Sequence, residues 1–579
     1  MFRFEHEGLS FLTITLPSFG ADFQKSLDQG YVAHDQFPGF IRSGGLPRFL
    51  GGFLGLVFDR KSARLLDSPS IDAIRAIRQL TLMFAKLAIP CSEERTRNAI
   101  RQWIQCEQDI RQNDTSFAGD NLARFRRVGR LLWASFFANV DSYIYANGVL
   151  PKHGPGATAE RRSGNAKYNP QLWTRRLETV FPHWEYVIPN ERYLSDTDRV
   201  MILEPGAELP VRVITVPKTL KTPRIIAIEP VAMQYMQQGI LEVMVKEMRA
   251  DDNARNFVLF DSQKPNQLLA REGSKWGHLA TLDLSEASDR VSNQHVRVLL
   301  ERHAILRDAV DSTRSRKADV PGYPIQRLAK FASMGSALCF PMESLVFTTV
   351  IFCGIEKALN RRLTVEDVRS FYGLVRVYGD DIVVPVDYVQ SVVQELETFG
   401  FRVNRNKSFW NGKFRESCGK EYFHGEDVTI SRMRQLIPAN RRHVVEIIST
   451  VHFRNHMFHR GFYRVVEMLD RELEKLIPFP VIDHYRDIET GDYLSRSPLL
   501  GRHDYSPSQA ERHDSQLHRP LVKGVVVDYT LPDSHLDHVW ALMKWFLKRG
   551  DQPFEDRNHL LRAGRPVSAR IKTRWLPPN

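Results

Sequence analysis

Tyr378-Gly379-Asp380-Asp381, set between Arg376-Val377 and Ile382-Val383-Val384, constrains this chain more than any other short segment. Val and Ile favour strands and Gly favours a turn, so a β-hairpin is expected, with both carboxylates pushed out of the sheet at its tip. Two like charges side by side raise each other's free energy, and the pair therefore calls for a cation. With a second acidic site nearby, the expected occupant is a pair of magnesium ions serving phosphoryl transfer. An ordinary charged turn also accounts for the tetrapeptide, because short patterns recur by chance.

A partner for the pair lies upstream. Leu279-Ala280-Thr281-Leu282-Asp283-Leu284 is an apolar run carrying a carboxylate, followed by Ser285-Glu286-Ala287-Ser288-Asp289, which has the capping and acidic residues of a helix start. A strand delivering Asp283 beside the hairpin would complete a three-carboxylate cluster. Taken alone, Asp283 reads better as an N-cap; paired with the Gly-Asp-Asp turn, that reading loses ground.

The rest of the chain sets the context. Its 579 residues are too many for one small core, so two to four subdomains are expected. A formal charge of +12 favours a polyanionic partner. Cys91, Cys106, Cys339, Cys353 and Cys418 are scattered and odd in number, which argues against a disulfide framework or a cysteine zinc site and for a reducing cytoplasm. Met1 to His6 do not read as a signal peptide, and Leu338 to Ile355, interrupted by Pro341 and Glu343, reads as a buried helix of a soluble protein.

Helical spacing runs through Ile71 to Ala88 and Asn121 to Ala146. A loop is expected at His153-Gly154-Pro155-Gly156, and strand-like runs with basic residues between Val211 and Ile228. Strand and helix alternate from about Leu279 to Tyr422, the pattern of a mixed layer. After about Arg432 the pattern is helical again, broken by a His- and Asp-rich stretch from Arg486 to Arg519 and closed by a basic tail from Lys544 to Arg574. That stretch has the residue types of a metal site but no ligand spacing, and is expected to be a solvated loop.

Asp283-x5-Asp289, Ser333-Met334-Gly335-Ser336, Tyr378-Gly379-Asp380-Asp381 and Lys407 resemble, in that order, palm motifs A to D of RNA-dependent RNA polymerases. More narrowly, Asp283-Leu284-Ser285-Glu286-Ala287-Ser288-Asp289, Ser333 to Ser336 with Met342-Glu343-Ser344-Leu345, and His153-Gly154-Pro155-Gly156-Ala157 resemble the replicase β subunit of the single-stranded RNA phages of the levivirus group. The resemblance covers roughly residues 150 to 430.

It implies an α+β right-hand fold: an N-terminal region and fingers over 1–265, a palm with a mixed sheet over 266–430, and a thumb with a basic C-terminal region over 431–579. It also implies RNA-templated RNA synthesis from NTPs, with Asp283, Asp380 and Asp381 holding two Mg²⁺ ions and Asp289, Ser333 and Gly335 sensing the incoming ribose. Arg212, Lys218, Lys221 and Arg224 resemble motif F, where alternation along a strand would aim cations at the triphosphate; a solvated basic edge strand is the alternative. Lys407 would donate a proton to pyrophosphate. Glu343 stands where many viral polymerases have Asn, and an ionised Glu cannot donate a hydrogen bond. Phe414 to Phe423 sits where the primer grip would form, and its aromatic residues read equally as core.

Implied partners are template and product RNA, host elongation factors Tu and Ts, and in some members a ribosomal RNA-binding protein, all in the cytoplasm of a bacterial host. Two rivals remain. A reverse transcriptase shares the palm logic but more often has Ala or Met at the position of Gly379, and a basic RNA-binding protein would not need the carboxylates.

Overall fold

Five antiparallel residue pairs fix the centre of the molecule. The strand Leu279–Ser285 lies beside Asp381–Pro385 in the register Asp283 opposite Asp381, Leu282 opposite Ile382, through to Leu279 opposite Pro385. Arg376–Tyr378 and Arg402–Val403 complete a four-stranded sheet in the order Arg376–Tyr378, Asp381–Pro385, Leu279–Ser285, Arg402–Val403. The fold around it is α+β, as expected. The computed structural model describes residues 2–579 apart from 155, 163, 488–491, 531–534 and 549–565. Pro155 of the Gly/Pro loop and much of the basic tail therefore lie outside the described residues.

Successive strand residues face opposite sides of a sheet, which explains the packing. Ala280, Leu282, Leu284, Val377, Ile382 and Val384 enter one large core with the helix Cys339–Leu359. That helix is apolar all round because it is enclosed by protein: it has the length and composition of a membrane span, yet 94% of its apolar window is buried within the chain. It packs against the helices Gly119–Asn147 and Val389–Thr398, with Trp133 Nε1 donating to Thr349 Oγ1 at 2.9 Å.

The opposite face of the sheet is covered by the hairpin Phe414–Ser417 and Lys420–Phe423. Phe409, Phe414 and Phe423 share a second core with Phe19, Phe23, Ile74 and Ile77, so the N-terminal helices Leu16–Gln29 and Ile71–Leu82 lie against this hairpin. Arg78, fully buried, meets buried Glu421 at 2.6 Å across that contact.

Two expectations change. The segment Ser285 to Asp289 does not begin a helix: Glu286 has φ +56°, a short 3-10 turn spans Ser288–Arg290, and the helix Asn293–Leu299 starts after the Ser292 cap. The C-terminal region is not simply helical with a solvated loop. After the helices Val444–His459 and Tyr463–Glu474, the strand Pro520–Thr530 pairs over Val522 to Thr530 with Ser568–Leu576, at its middle with Leu499–Leu500 and at its N-terminal end with Arg512–His513. Val522, Val525, Val526 and Val527 supply the β-branched residues, and the basic content of the tail hid the pairing.

Removing one member of a buried ion pair leaves the other charged and desolvated, at about 3–5 kcal/mol. Glu421→Ala is therefore expected to lower the denaturant midpoint sharply, whereas Glu426→Ala, at the exposed partner of Arg75, should leave it nearly unchanged.

Candidate active site

The strand register puts Asp283 and Asp381 side by side on one face, since directly opposed residues in an antiparallel pair point the same way. Asp380 lies exposed in the tight turn between Tyr378 and Asp381. Gly379 makes that turn with φ +60°, and a Cβ there would meet the Phe340 ring at 2.5 Å. The expected hairpin is present, with one change: only Asp380 projects at the tip, while Asp381 is the first residue of the strand and half-buried.

Both sheet carboxylates are held by donors. Asn404 donates to Asp283 Oδ2 at 2.9 Å, and the backbone N–H of Cys418 donates to Asp381 Oδ1 at 3.1 Å. Burial raises the Asp381 pKa to about 6, with Asp380 and Asp283 adding to the effect, and burial likewise raises that of Asp283, aided by Asp380. A face of crowded, desolvated oxygen donors fits a hard divalent cation such as Mg²⁺, which would favour their charged forms.

The cations come from three segments. Lys407 Nζ lies 3.7 Å from Asp283 Oδ1; although burial opposes its charge, Asp283, Glu416, Asp380 and Asp381 raise its pKa. The hairpin Val211–Val216 and Arg224–Ile228 pairs Val216 with Arg224 and Arg212 with Ile228, and this register puts Arg212 and Arg224 on one face. Lys218, in the connecting loop, is felt by Asp380 and Asp283; its pKa is lowered by burial, Arg224 and Lys407. The other two differ. Arg212 donates to Thr158 O at 3.3 Å, and Lys221 is exposed on the loop, whose Leu220 carbonyl is held by Arg95.

Asp289 and Ser333 also meet. Ser333 Oγ donates to Asp289 Oδ1 at 2.8 Å, and the same oxygen accepts from Lys330 Nζ at 2.9 Å and Trp103 Nε1 at 3.0 Å. Gly335 has φ +136°, and a Cβ there would sit 1.8 Å from Ala227 O. The motif-B-like loop is thereby pressed against the basic hairpin, with Ala227 N–H donating to Met334 O at 2.9 Å. Close packing and conformational freedom are both needed at Gly335.

Sequence reasoning missed several members. Lys330, Trp103 and Glu107 sit outside the motifs; the buried Lys330 ammonium lies 3.3 Å from Glu107 and 3.9 Å from the centre of the Trp103 ring. Asn404 and Glu416 fall inside segments singled out above but carried no signal of their own. Burial and Asp381 push Glu416 up to about 8. Glu343 is the main correction: it is 4% exposed, and burial, with Asp380 and Asp289, raises it to about 8. The shift favours the protonated form, which can donate a hydrogen bond.

Residues 200–456 match the sequence model of the family described as RNA replicase, beta-chain. This segment contains the carboxylates, the basic hairpin and the Ser333 loop. The chain is 39% identical over 228 residues to the RNA-directed RNA polymerase subunit beta of Qbeta virus (strain MX1), and 37% over 226 residues to that of Enterobacteria phage SP; each match covers 39% of this chain and 36% of the relative. The RNA-directed RNA polymerase beta chain of Escherichia phage MS2 is 34% identical over 216 residues, 37% of this chain and 36% of the relative. The resemblance to the RNA phage replicase β subunits is thereby borne out over this segment, which spans about a third of the length of these curated relatives.

Among solved structures, the RNA-dependent RNA polymerase of a human picorbirnavirus aligns at TM-score 0.32 and 13% identity, covering 46% of this chain and 55% of that one. The BmCPV RNA-dependent RNA polymerase at elongation state aligns at TM-score 0.35 and 10% identity, covering 64% and 36%. The fold assignment rests on the strands and register above.

An unfolded Glu titrates near 4.5, so holding Glu343 at about 8 penalises the native state increasingly as pH rises between those values. Glu343→Gln removes the titration. It is expected to be more stable than the parent by on the order of 3 kcal/mol at pH 7 and nearly equal at pH 4.5, read from denaturation midpoints across that range.

Proposed function

We propose that this chain is an RNA-directed RNA polymerase that copies a single-stranded RNA phage genome from NTPs. The observation that carries the reading is the pairing of Asp283 opposite Asp381, with Asp380 at the adjoining turn, inside the segment that matches the replicase β-chain family. Residues 266–430 act as palm, 1–265 as N-terminal region and fingers, and 431–579 as thumb and C-terminal region.

Asp283, Asp380 and Asp381 would hold two Mg²⁺ ions, which would lower the pKa of the attacking RNA 3′-hydroxyl and neutralise charge on the departing pyrophosphate. The chain's own groups do the rest. Lys218 and Arg224 hold the triphosphate, with Arg212 and Lys221 adding positive charge along the entry path. Lys407, kept protonated by the carboxylates around it, is placed to give a proton to pyrophosphate. Asp289, one oxygen of which is engaged by Ser333, Lys330 and Trp103, would sense the ribose hydroxyls. Gly335 sets the position of Ser333. Template and product are bound mainly through phosphates, which suits a chain of charge +12. Elongation factors Tu and Ts, and a ribosomal RNA-binding protein, are proposed partners in the cytoplasm of the bacterial host.

The test is templated incorporation by the chain purified with whatever host proteins accompany it. NTP incorporation on an RNA template is expected; exclusive use of dNTPs, or activity unaffected by Asp381→Asn, would sink the reading. Asp381→Asn should lose about 10³-fold or more in rate while RNA binding is largely kept. Ser333→Ala should cut discrimination between NTP and dNTP by about tenfold, the worth of one hydrogen bond of ~1–1.5 kcal/mol.

A further inference from the structure

Three histidines far apart in sequence converge in the C-terminal region. His459 ends the helix Val444–His459; His484 and His503 follow it in the β-containing segment. One ring nitrogen of each lies within 4.8 Å of the others. Backbone pairing builds the arrangement: Val481 bridges Arg502 in parallel, with Ile482 N–H donating to Arg502 O at 3.0 Å and Arg502 N–H to Pro480 O at 2.9 Å. His484 and His503 therefore emerge from adjacent tracks, and their rings stack 4.4 Å apart between centroids at 9°.

The helix then grips this pair. Asn455, one turn before His459, accepts the His503 N–H at 3.1 Å and donates to Gly501 O at 3.1 Å. Buried Arg454 donates to His503 O, and its own charge is matched by Asp470 through contacts of 2.7 and 2.8 Å. Tyr493 stacks on His459 with centroids 3.5 Å apart, and His459 Nε2 lies 2.9 Å from His503 Nδ1.

We propose that His459, His484 and His503 bind a transition-metal ion of the zinc type, with solvent completing the coordination, and that this ion fastens the C-terminal β layer to the helix Val444–His459. Imidazole nitrogens suit zinc and its neighbours, whereas Mg²⁺ prefers oxygen, so this site is distinct in chemistry from the carboxylate face. Burial, reinforced by His484, lowers His459 to about 4 and His503 to about 3, so both rings are neutral near pH 7. Zn–N bonds of about 2.0–2.1 Å place tetrahedral ligand nitrogens roughly 3.4 Å apart. The His459–His503 pair must open slightly and His484 close in. The hydrogen bond between them breaks as its proton passes through solvent to the other nitrogen of the donating ring, and no redox partner is needed. The site borders a cleft of about 860 Å³ that also presents Arg75, Lys420 and Arg460, so solvent reaches it.

The full chain, stripped with a chelator, should take up one Zn²⁺ at this site, measured by elemental analysis after desalting, and Mg²⁺ should not compete. Its melting temperature should rise with the logarithm of Zn²⁺ concentration. Co²⁺ should give the visible absorption of a tetrahedral nitrogen-rich site. His484→Gln should lose one equivalent of zinc and the thermal shift, while its metal-free melting temperature stays near the parent's. Absence of saturable Zn²⁺ uptake, or full stoichiometry in His484→Gln, would overturn the proposal. Should that variant not fold, the Co²⁺ spectrum of the parent decides, and lack of tetrahedral absorption rejects the site. None of these readouts depends on nucleotide incorporation.

Discussion

The antiparallel register that sets Asp283 against Asp381 is the constraint on which the rest of the site depends. A slip of one residue would send one carboxylate to the opposite face, where Leu282, Ile382 and Val384 pack on the helix Cys339–Leu359. Burying that helix on all sides therefore does more than stabilise the centre. It makes the alternative pairing costly and so holds two like charges together.

Those charges tolerate their crowding because other segments close around them. Asn404, Ser408 and Lys407 approach Asp283 from beyond the strand Arg402–Val403, while Cys418 and Ser417 approach Asp381 from the overlying hairpin. That hairpin is itself anchored on the N-terminal helices by Phe414, Phe423 and the Arg78–Glu421 pair. Two further carboxyls near the site, Glu343 and Glu416, have their pKa raised to about 8, by burial first and by the neighbouring carboxylates second. Burial thus favours the neutral forms of both groups, which eases like-charge repulsion beside Asp380 and Asp381.

The Ser333 loop and the basic hairpin are mechanically one unit. Gly335 lies where any side chain would strike Ala227 O, and Met334 accepts the Ala227 N–H, so the loop bearing Ser333 and the strand bearing Arg224 are bonded together. The two segments are held together through backbone contacts, which change little with side-chain identity.

Much of this was legible in the residues themselves. Val and Ile around a Gly-marked turn announced the hairpin, and the apolar run ending at Asp283 announced its strand, because each depends on local preference and a period of two. Sequence could not tell that Asp381 lies within the sheet while Asp380 stands at its tip, or that Glu343 is buried, because burial depends on what packs from elsewhere. It could not find Lys330, Trp103 or the meeting of His459, His484 and His503, since long-range pairings bring those residues together and no spacing records them. The strand near the C-terminus was hidden for a related reason: its partner lies some forty residues further on, in a run read for its charge alone. Local chemistry was written in the chain, and the register between distant strands decided which of its charges became a site.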